Sequence, residues 1–229
     1  MIQTIYMLWF QGFEHAPELV KSCVQSWKHY NPDWDIVLLD NTNLRNYIEV
    51  EDYPEMEMSH RSDIVRMKLL HQYGGVWADV TTFCHRPLRD WLPRYASEGF
   101  FVFDRPYSNL LMSNWFIYAE PSNLLFHEWY LETMHYYKDR VKAHTYFIHH
   151  QLFEKVYLSH KEYWDQIPKL SATLPHSLLS IEGIPNAHAD IDSKRVPLYK
   201  FSHRVKYANN PDSNLSYLFR TLKPCITPQ

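Results

Sequence analysis

The chain has 229 residues, enough for one large domain with a buried core, and its 45% apolar and 21% charged residues are an ordinary globular balance. A formal net charge of −3 without any basic run argues against nucleic-acid binding through an electrostatic stripe. Three widely separated cysteines, Cys23, Cys84 and Cys225, with no Cys-X-X-Cys pair, indicate neither a disulfide framework nor a structural zinc site and fit a reducing, cytoplasmic setting.

The amino terminus lacks the basic n-region and small-residue cleavage site of a secretory leader. Its apolar run, Ile2 to Phe10, is short enough for a buried first strand, and Gln11-Gly12 ends it. Pro17 opens a helix from Glu18 to about Tyr30, with Leu19, Cys23, Val24 and Trp27 at helical spacing. Asn31-Pro32-Asp33 breaks that helix. Trp34 to Leu39 reads as a second strand ending in Asp40-Asn41, which completes a βαβ unit with a right-handed crossover expected. Asn43 to Met58, carrying Glu49, Glu51, Asp52, Glu55 and Glu57, reads as a solvated face or loop.

The stretch from Arg61 to Thr82 is the most informative. Placed on a helix ending at Tyr73, Lys68 and Gln72 mark the wet side, while Asp63 and Arg66 turn inward among Ile64, Val65, Met67 and Leu69. Buried charges must be paired or coordinated, so these two are either a satisfied i,i+3 ion pair or part of a site. Gly74-Gly75 stops the helix. Val76-Trp77-Ala78 then reads as a central strand that delivers Asp79 to its carboxyl end, followed by Thr81 and Thr82. Ligands of open α/β sheets bind beyond such ends, and a carboxylate there suits a divalent cation carrying a diphosphate.

Further along, Pro87 to Tyr95 reads as a short helix or turn and Gly99 to Asp104 as another buried strand. Asp104 is either an acceptor-side carboxylate or a partner of Arg105. Asn114 to Ala119 is a further strand, followed by helices from Leu124 to about Val141 and from Thr145 to Ser159. His149 and His150 point to different faces of the second helix and cannot both chelate one ion; one surface and one packed histidine is the simpler account. The last 60 residues are rich in proline and loops. Within them Pro197 to Lys206 gathers Lys200, His203, Arg204 and Lys206, which suits a diphosphate leaving group or a metal ligand from His203, or else a basic edge strand. No segment approaches the length of a membrane span, so membrane contact is expected to be peripheral at most.

Ser62-Asp63-Ile64-Val65-Arg66 together with Tyr73-Gly74-Gly75-Val76-Trp77-Ala78-Asp79-Val80-Thr81 resembles the donor site of sugar-nucleotide glycosyltransferases of the GT-A fold, specifically the capsular polysaccharide synthesis type related to yeast-type mannosyltransferases and glycosylating toxins. Leu8-Trp9-Phe10-Gln11-Gly12, Ala16-Pro17-Glu18 and Ser26-Trp27 resemble that family's opening strand and helix. Where many such enzymes have Asp-X-Asp, this chain has Asp79-Val80-Thr81. Thr81 offers a hydroxyl oxygen but no charge, so metal affinity should be weaker than with a second aspartate. The resemblance implies a single GT-A-like α/β domain over 1–229 with a mostly parallel central sheet flanked by helices. Residues 1–105 would form the nucleotide-sugar half, and 106–229 the acceptor-side half and closing tail.

The same resemblance implies donor contacts from the Trp9, Phe10, Gln11 and Gly12 loop, where Gly12 lets the backbone approach a base or ribose and Trp9 or Phe10 could stack, although core packing accounts for Trp9 equally well. It adds Asn114 in the sugar pocket and Asp63 on sugar hydroxyls, with Arg66 orienting Asp63 or reaching phosphate. Lys200 would meet the diphosphate, and Asp79, Thr81 and His203 would hold Mn2+ or Mg2+. The expected reaction moves a hexose-type sugar from a nucleotide-diphosphate donor, a UDP-sugar by family habit, to a glycan or other hydroxyl. Retention is favoured, with Asp104 the carboxylate to nominate if an inverting base is required. The competing reading is a non-catalytic nucleotide-sugar or glycan-binding protein of the same fold. A two-metal phosphohydrolase ranks third, because the motif region supplies one carboxylate. No Gly-X-Gly-X-X-Gly loop or Gly-X-Ser-X-Gly elbow is present.

Overall fold

The structure, a computed structural model, describes residues 1–50, 55–180, 187–205 and 211–222. Glu51, Asp52, Pro185, Lys206 and Cys225 lie outside the described residues.

In chain order the regular elements are β1 (Thr4–Leu8), α1 (Glu18–Tyr30), β2 (Asp35–Leu39), α2 (Met58–Tyr73), β3 (Gly75–Ala78), β4 (Thr82–Cys84), α3 (Leu92–Tyr95), β5 (Phe100–Asp104), β6 (Met112–Ala119), α4 (Leu124–Tyr137), α5 (Ile148–Ser159), α6 (Lys161–Gln166), α7 (Thr173–His176), α8 (Ala187–Asp192), β7 (Leu198–Lys200) and α9 (Asn214–Arg220). Five strands make the central sheet in the order β2-β1-β3-β6-β5. The pairs β1/β2 and β1/β3 are parallel, while β6 is antiparallel to both β3 and β5. Four strands therefore share one direction and β6 alone is reversed, which is the mostly parallel α/β sheet expected. The β4/β7 pair forms a separate two-stranded antiparallel sheet.

Both faces of the central sheet are covered, as period-two alternation in fully buried strands requires. Tyr6, Leu8, Trp77, Phe100 and Val102 pack with α2, α4, α5 and α6 on one side. Ile5, Met7, Val76, Ala78, Phe101 and Phe103 pack with α1 and α3 on the other. Helix α1 buries Val20, Cys23, Val24, Trp27 and Tyr30, and its Trp27 Nε1 donates to the Thr82 carbonyl at 2.8 Å, tying the helix to β4. A smaller core of Cys23, Phe83, Leu178, Ile191, Tyr199 and Leu218 fills the space around the β4/β7 pair.

Several expectations differ in detail. Helix α4 stops at Tyr137 rather than near Val141, because residues 138–141 are all exposed and would bury nothing by continuing. Helix α5 begins at Ile148 rather than Thr145. Strand β4 had no counterpart in the sequence reading, being three residues long and paired only with β7, more than a hundred residues later.

Candidate active site at the carboxyl edge of the sheet

Helix α2 supplies the first part of the site. It packs between the sheet and α4, so Ile64, Val65, Met67, Leu69 and Leu70 are buried, and Asp63 and Arg66 are each only 4% exposed. The turn that follows needs its two glycines. Gly75 has φ +103°, and a Cβ there would stand 2.6 Å from the Thr4 carbonyl oxygen; at Gly74, with φ +67°, it would collide with Ile2 Cδ1 and stand 2.8 Å from Pro121 Cδ. This tight turn lets β3 lie beside β1 at the centre of the sheet and project Asp79 beyond its carboxyl end.

Arg66 is the hub. Its guanidinium reaches Asp63 Oδ1 at 3.0 Å, the Asn114 carbonyl at 2.9 Å, Ser62 Oγ at 2.9 Å and Asp79 Oδ1 at 3.4 Å, and it lies over the Trp77 ring at 5.0 Å. The i,i+3 ion pair and the link to the strand-end carboxylate are thus parts of one network. Asp63 Oδ1 also receives Asn114 Nδ2 at 3.1 Å and lies 3.3 Å from Nδ1 of the fully buried His149. Burial alone would push the Asp63 carboxyl up; the neighbouring His149 imidazole and the Arg66 guanidinium outweigh that and hold it below the usual carboxylate range. Burial, opposed by Asp63, keeps the His149 imidazole below its ordinary value and therefore neutral at pH 7.

Asp79 is the partly open carboxylate, with its side chain 27% exposed. Its amide donates to the Trp115 carbonyl at 2.8 Å, and Oδ1 accepts from Trp77 Nε1 at 2.9 Å. Lys200, delivered by β7 opposite Thr82, lies 3.5 Å from Asp79 Oδ2 and donates to Thr81 Oγ1 at 2.6 Å and the Phe201 carbonyl at 3.1 Å. Lys200 thus belongs to a short paired strand and stands beside Asp79. His203, exposed, meets Trp9 edge-on at 5.4 Å, which brings the β1 loop and the late segment together. Burial first, then Arg204 and Lys200, push its imidazole down.

Gln11 touches Met58 Sδ through Nε2 at 3.2 Å, placing the β1 loop against the start of α2. Phe10 is not open for stacking: it is 7% exposed and the Arg61 guanidinium lies 4.8 Å from its centroid. Trp9 keeps a partly exposed ring. Asp104 is not brought into the group. It pairs with Arg105 at 3.8 Å and its backbone bridges to residues 170–172, while burial pushes its carboxyl up. Tyr146, 59% exposed just before α5, has its ring 6.3 Å from that of His60 and lies within electrostatic reach of Asp79 and Asp63.

Among the described residues no three His, Cys, Asp or Glu side chains gather in a way that could hold a metal ion. Asp79 contributes one carboxylate and Thr81 one hydroxyl, and Lys200 bonds that hydroxyl. Such a donor set fits a hard cation that shares its coordination with substrate phosphates, and does not fit an all-protein cage. Sequence reasoning missed His149, Trp77 and Ser62 as site members. Ser62 was findable, since it lies one turn before Arg66; His149 carried no signal, because its partner lies on another element.

The family model for capsular polysaccharide synthesis protein matches residues 1–219. The O-glycosyltransferase braB of Annulohypoxylon truncatum is 27% identical over 151 residues, covering 56% of this chain and 36% of its own length. The O-glycosyltransferase PaGT of Phomopsis amygdali is 26% identical over 161 residues, covering 60% of this chain and 39% of its own. The chain therefore spans little more than a third of the length of these two relatives. A solved structure, the PaToxG glycosyltransferase, aligns with 96% of this chain and 86% of its own at a TM-score of 0.47 and 15% identity.

Proposed function

The chain belongs to the capsular polysaccharide synthesis protein family, and we propose that it is a glycosyltransferase moving a hexose-type sugar from a nucleoside-diphosphate donor, UDP-sugar by preference, to a hydroxyl of a glycan or other acceptor. The observation that carries this reading is the pairing of Asp79 with two cations, Arg66 and Lys200, at the carboxyl end of the central strand. That arrangement suits a leaving diphosphate, whose negative charge grows as the sugar bond breaks. The names of the two fungal relatives, both O-glycosyltransferases, support a hydroxyl acceptor.

In this reading Trp9 stacks on the base, Lys200 and Arg66 face the diphosphate, and Asp63 with Asn114 receives the sugar. A divalent ion, Mn2+ or Mg2+, would be held by Asp79 and Thr81, with His203 as a further ligand, and would add positive charge against the leaving group. Retention is favoured. An inverting enzyme needs a base across from the donor, and the carboxylates of this group, Asp63 and Asp79, are both engaged with cations. A cytoplasmic location is part of this reading, and the widely separated cysteines fit it. Among the described residues no helix is long and apolar enough to cross a membrane. Thr81 in place of a second carboxylate favours the second reading, a binding protein that holds nucleotide-sugars without turning them over.

The test is release of UDP or GDP from the corresponding sugars, with and without Mn2+, by the wild type and Asp79→Ala. Turnover lost in the variant is the expected result. Tight binding without turnover would favour the second reading, and no binding of either nucleotide-sugar would remove both.

A further inference from the structure

Asp63 is held by one oxygen. Arg66, Asn114 and His149 all converge on Oδ1, at 3.0, 3.1 and 3.3 Å. No described residue engages Oδ2, and Oδ2 is not among the buried atoms left without a partner, so the little exposure Asp63 retains reaches this oxygen. His149 is the least expected of the three. A phenylalanine could fill the same space and stack on Trp129, whose ring is 4.3 Å away and nearly parallel. A fully buried histidine instead leaves Nε2 without a partner among the described residues, which carries a desolvation cost. Trp129 Nε1 also donates to the His149 backbone carbonyl at 3.1 Å, which ties the start of α5 to the tryptophan that its ring stacks on.

We propose that His149 is a positioning residue: a neutral imidazole protonated on Nδ1 that, with Arg66 and Asn114, fixes Asp63 so that Oδ2 alone is presented to a sugar hydroxyl. An ionised carboxylate takes only donors, so the nitrogen facing it carries the proton and Nε2 is bare. The 3.1 Å approach of Asn114 Nδ2 to His149 Nδ1 is then two donors sharing one acceptor. The other titratable groups near Asp63 are His60 on α2, Tyr137 on α4, Tyr146 just before α5 and His150 in its first turn; none makes a hydrogen bond to it. The proposal rests on the glycosyltransferase reading for the hydroxyl, and on geometry alone for the Asp63–His149 contact.

Two readouts separate these. Long-range 1H–15N NMR of the wild type at pH 7–8, with the His149 signal identified by its loss in His149→Phe, should show a neutral Nδ1-protonated ring; the Nε2-protonated tautomer would overturn the proposal whatever the protein's activity. UDP-sugar hydrolysis is the second. His149→Phe should bind UDP as the wild type does but lose about 10- to 100-fold in kcat, the scale expected of a displaced positioning group. His149→Asn, whose amide can stand near the Nδ1 position, should recover much of that loss. Unchanged kcat in a folded His149→Phe, or no recovery in a folded His149→Asn, would overturn it. Were no nucleotide-sugar turned over even by the wild type, the functional reading would fall while the NMR result still decided the contact.

Discussion

Two strands running in the same direction bring an aspartate to one edge of the sheet, Asp79 just after β3 and Asp104 at the end of β5, and the two carboxylates meet different surroundings. Strand β3 is central, so the chain leaving it meets α2 from one side and the β4/β7 pair from the other; Arg66, Trp77 and Lys200 reach Asp79. Strand β5 is the sheet edge, and the residues beside Asp104 are Arg105 and the 170–172 segment. Both positions satisfy the rule that ligands bind beyond strand ends. The difference is convergence: a site forms where several elements deliver charged groups to one point, whereas the neighbours on either side of Asp104, Met112 of β6 and the 170–172 segment, meet it through backbone.

Asp79→Ala puts the largest weight on this contrast. It removes the carboxylate that orders Arg66 and Lys200, and nucleotide-sugar turnover should fall about 100-fold or more, against less than about twofold for Asp104→Asn. Steady-state UDP release measured on both proteins decides it; comparable losses would dissolve the distinction. The glycines ahead of the two strands extend it to stability. Gly75 and Gly99 both have positive φ, but a Cβ at Gly75 meets backbone, the Thr4 oxygen at 2.6 Å, whereas at Gly99 it meets the flexible Glu120 carboxylate at 3.1 Å. Gly75→Ala should cost about 3 kcal/mol or more and Gly99→Ala about 1 kcal/mol, read as urea midpoints at constant m-value. Lys200→Met tests the cation side. With Thr81 Oγ1 and Asp79 Oδ2 losing their ammonium partner, UDP affinity should weaken about tenfold, for a loss near 1.4 kcal/mol; titration calorimetry gives the ratio directly.

The Asp79 region was legible because its signals are local. Gly74-Gly75 ends a helix and begins a strand within two residues, and Asp63, Arg66 and Asp79 lie within seventeen positions of one another. Helix α1 came out at its expected bounds for the same reason, Pro17 and Asn31-Pro32 marking both ends. What escaped was set by distant pairing. Strand β4 exists only because β7 returns to it, Phe10 is covered by Arg61 from another element, and His149 acquires its role through Asp63 and Trp129. Nothing in the order of residues marks which of fourteen histidines, three of them buried, meets Asp63.

The smallest expected effect gives the comparison a sign. Asp63 has its carboxyl held down, so relative to an unfolded aspartate it contributes stability above the ordinary carboxylate pKa, and that contribution is lost as pH falls toward its folded value. Asp104 is the reverse: burial raises it despite Arg105 and Lys169, so at neutral pH the folded state carries a charge it would rather not hold. Its preference for the protonated form favours folding at low pH and is lost as pH rises through the raised folded value. Asp104→Asn should therefore raise Tm by no more than a few degrees at pH 7 and lose that advantage toward pH 3.5, where the wild-type carboxyl is itself protonated. Thermal unfolding of both proteins at the two pH values measures it. A lower Tm at neutral pH would mean that the Arg105 pair outweighs burial, and that Asp104 is an anchor of the sheet edge in its own right.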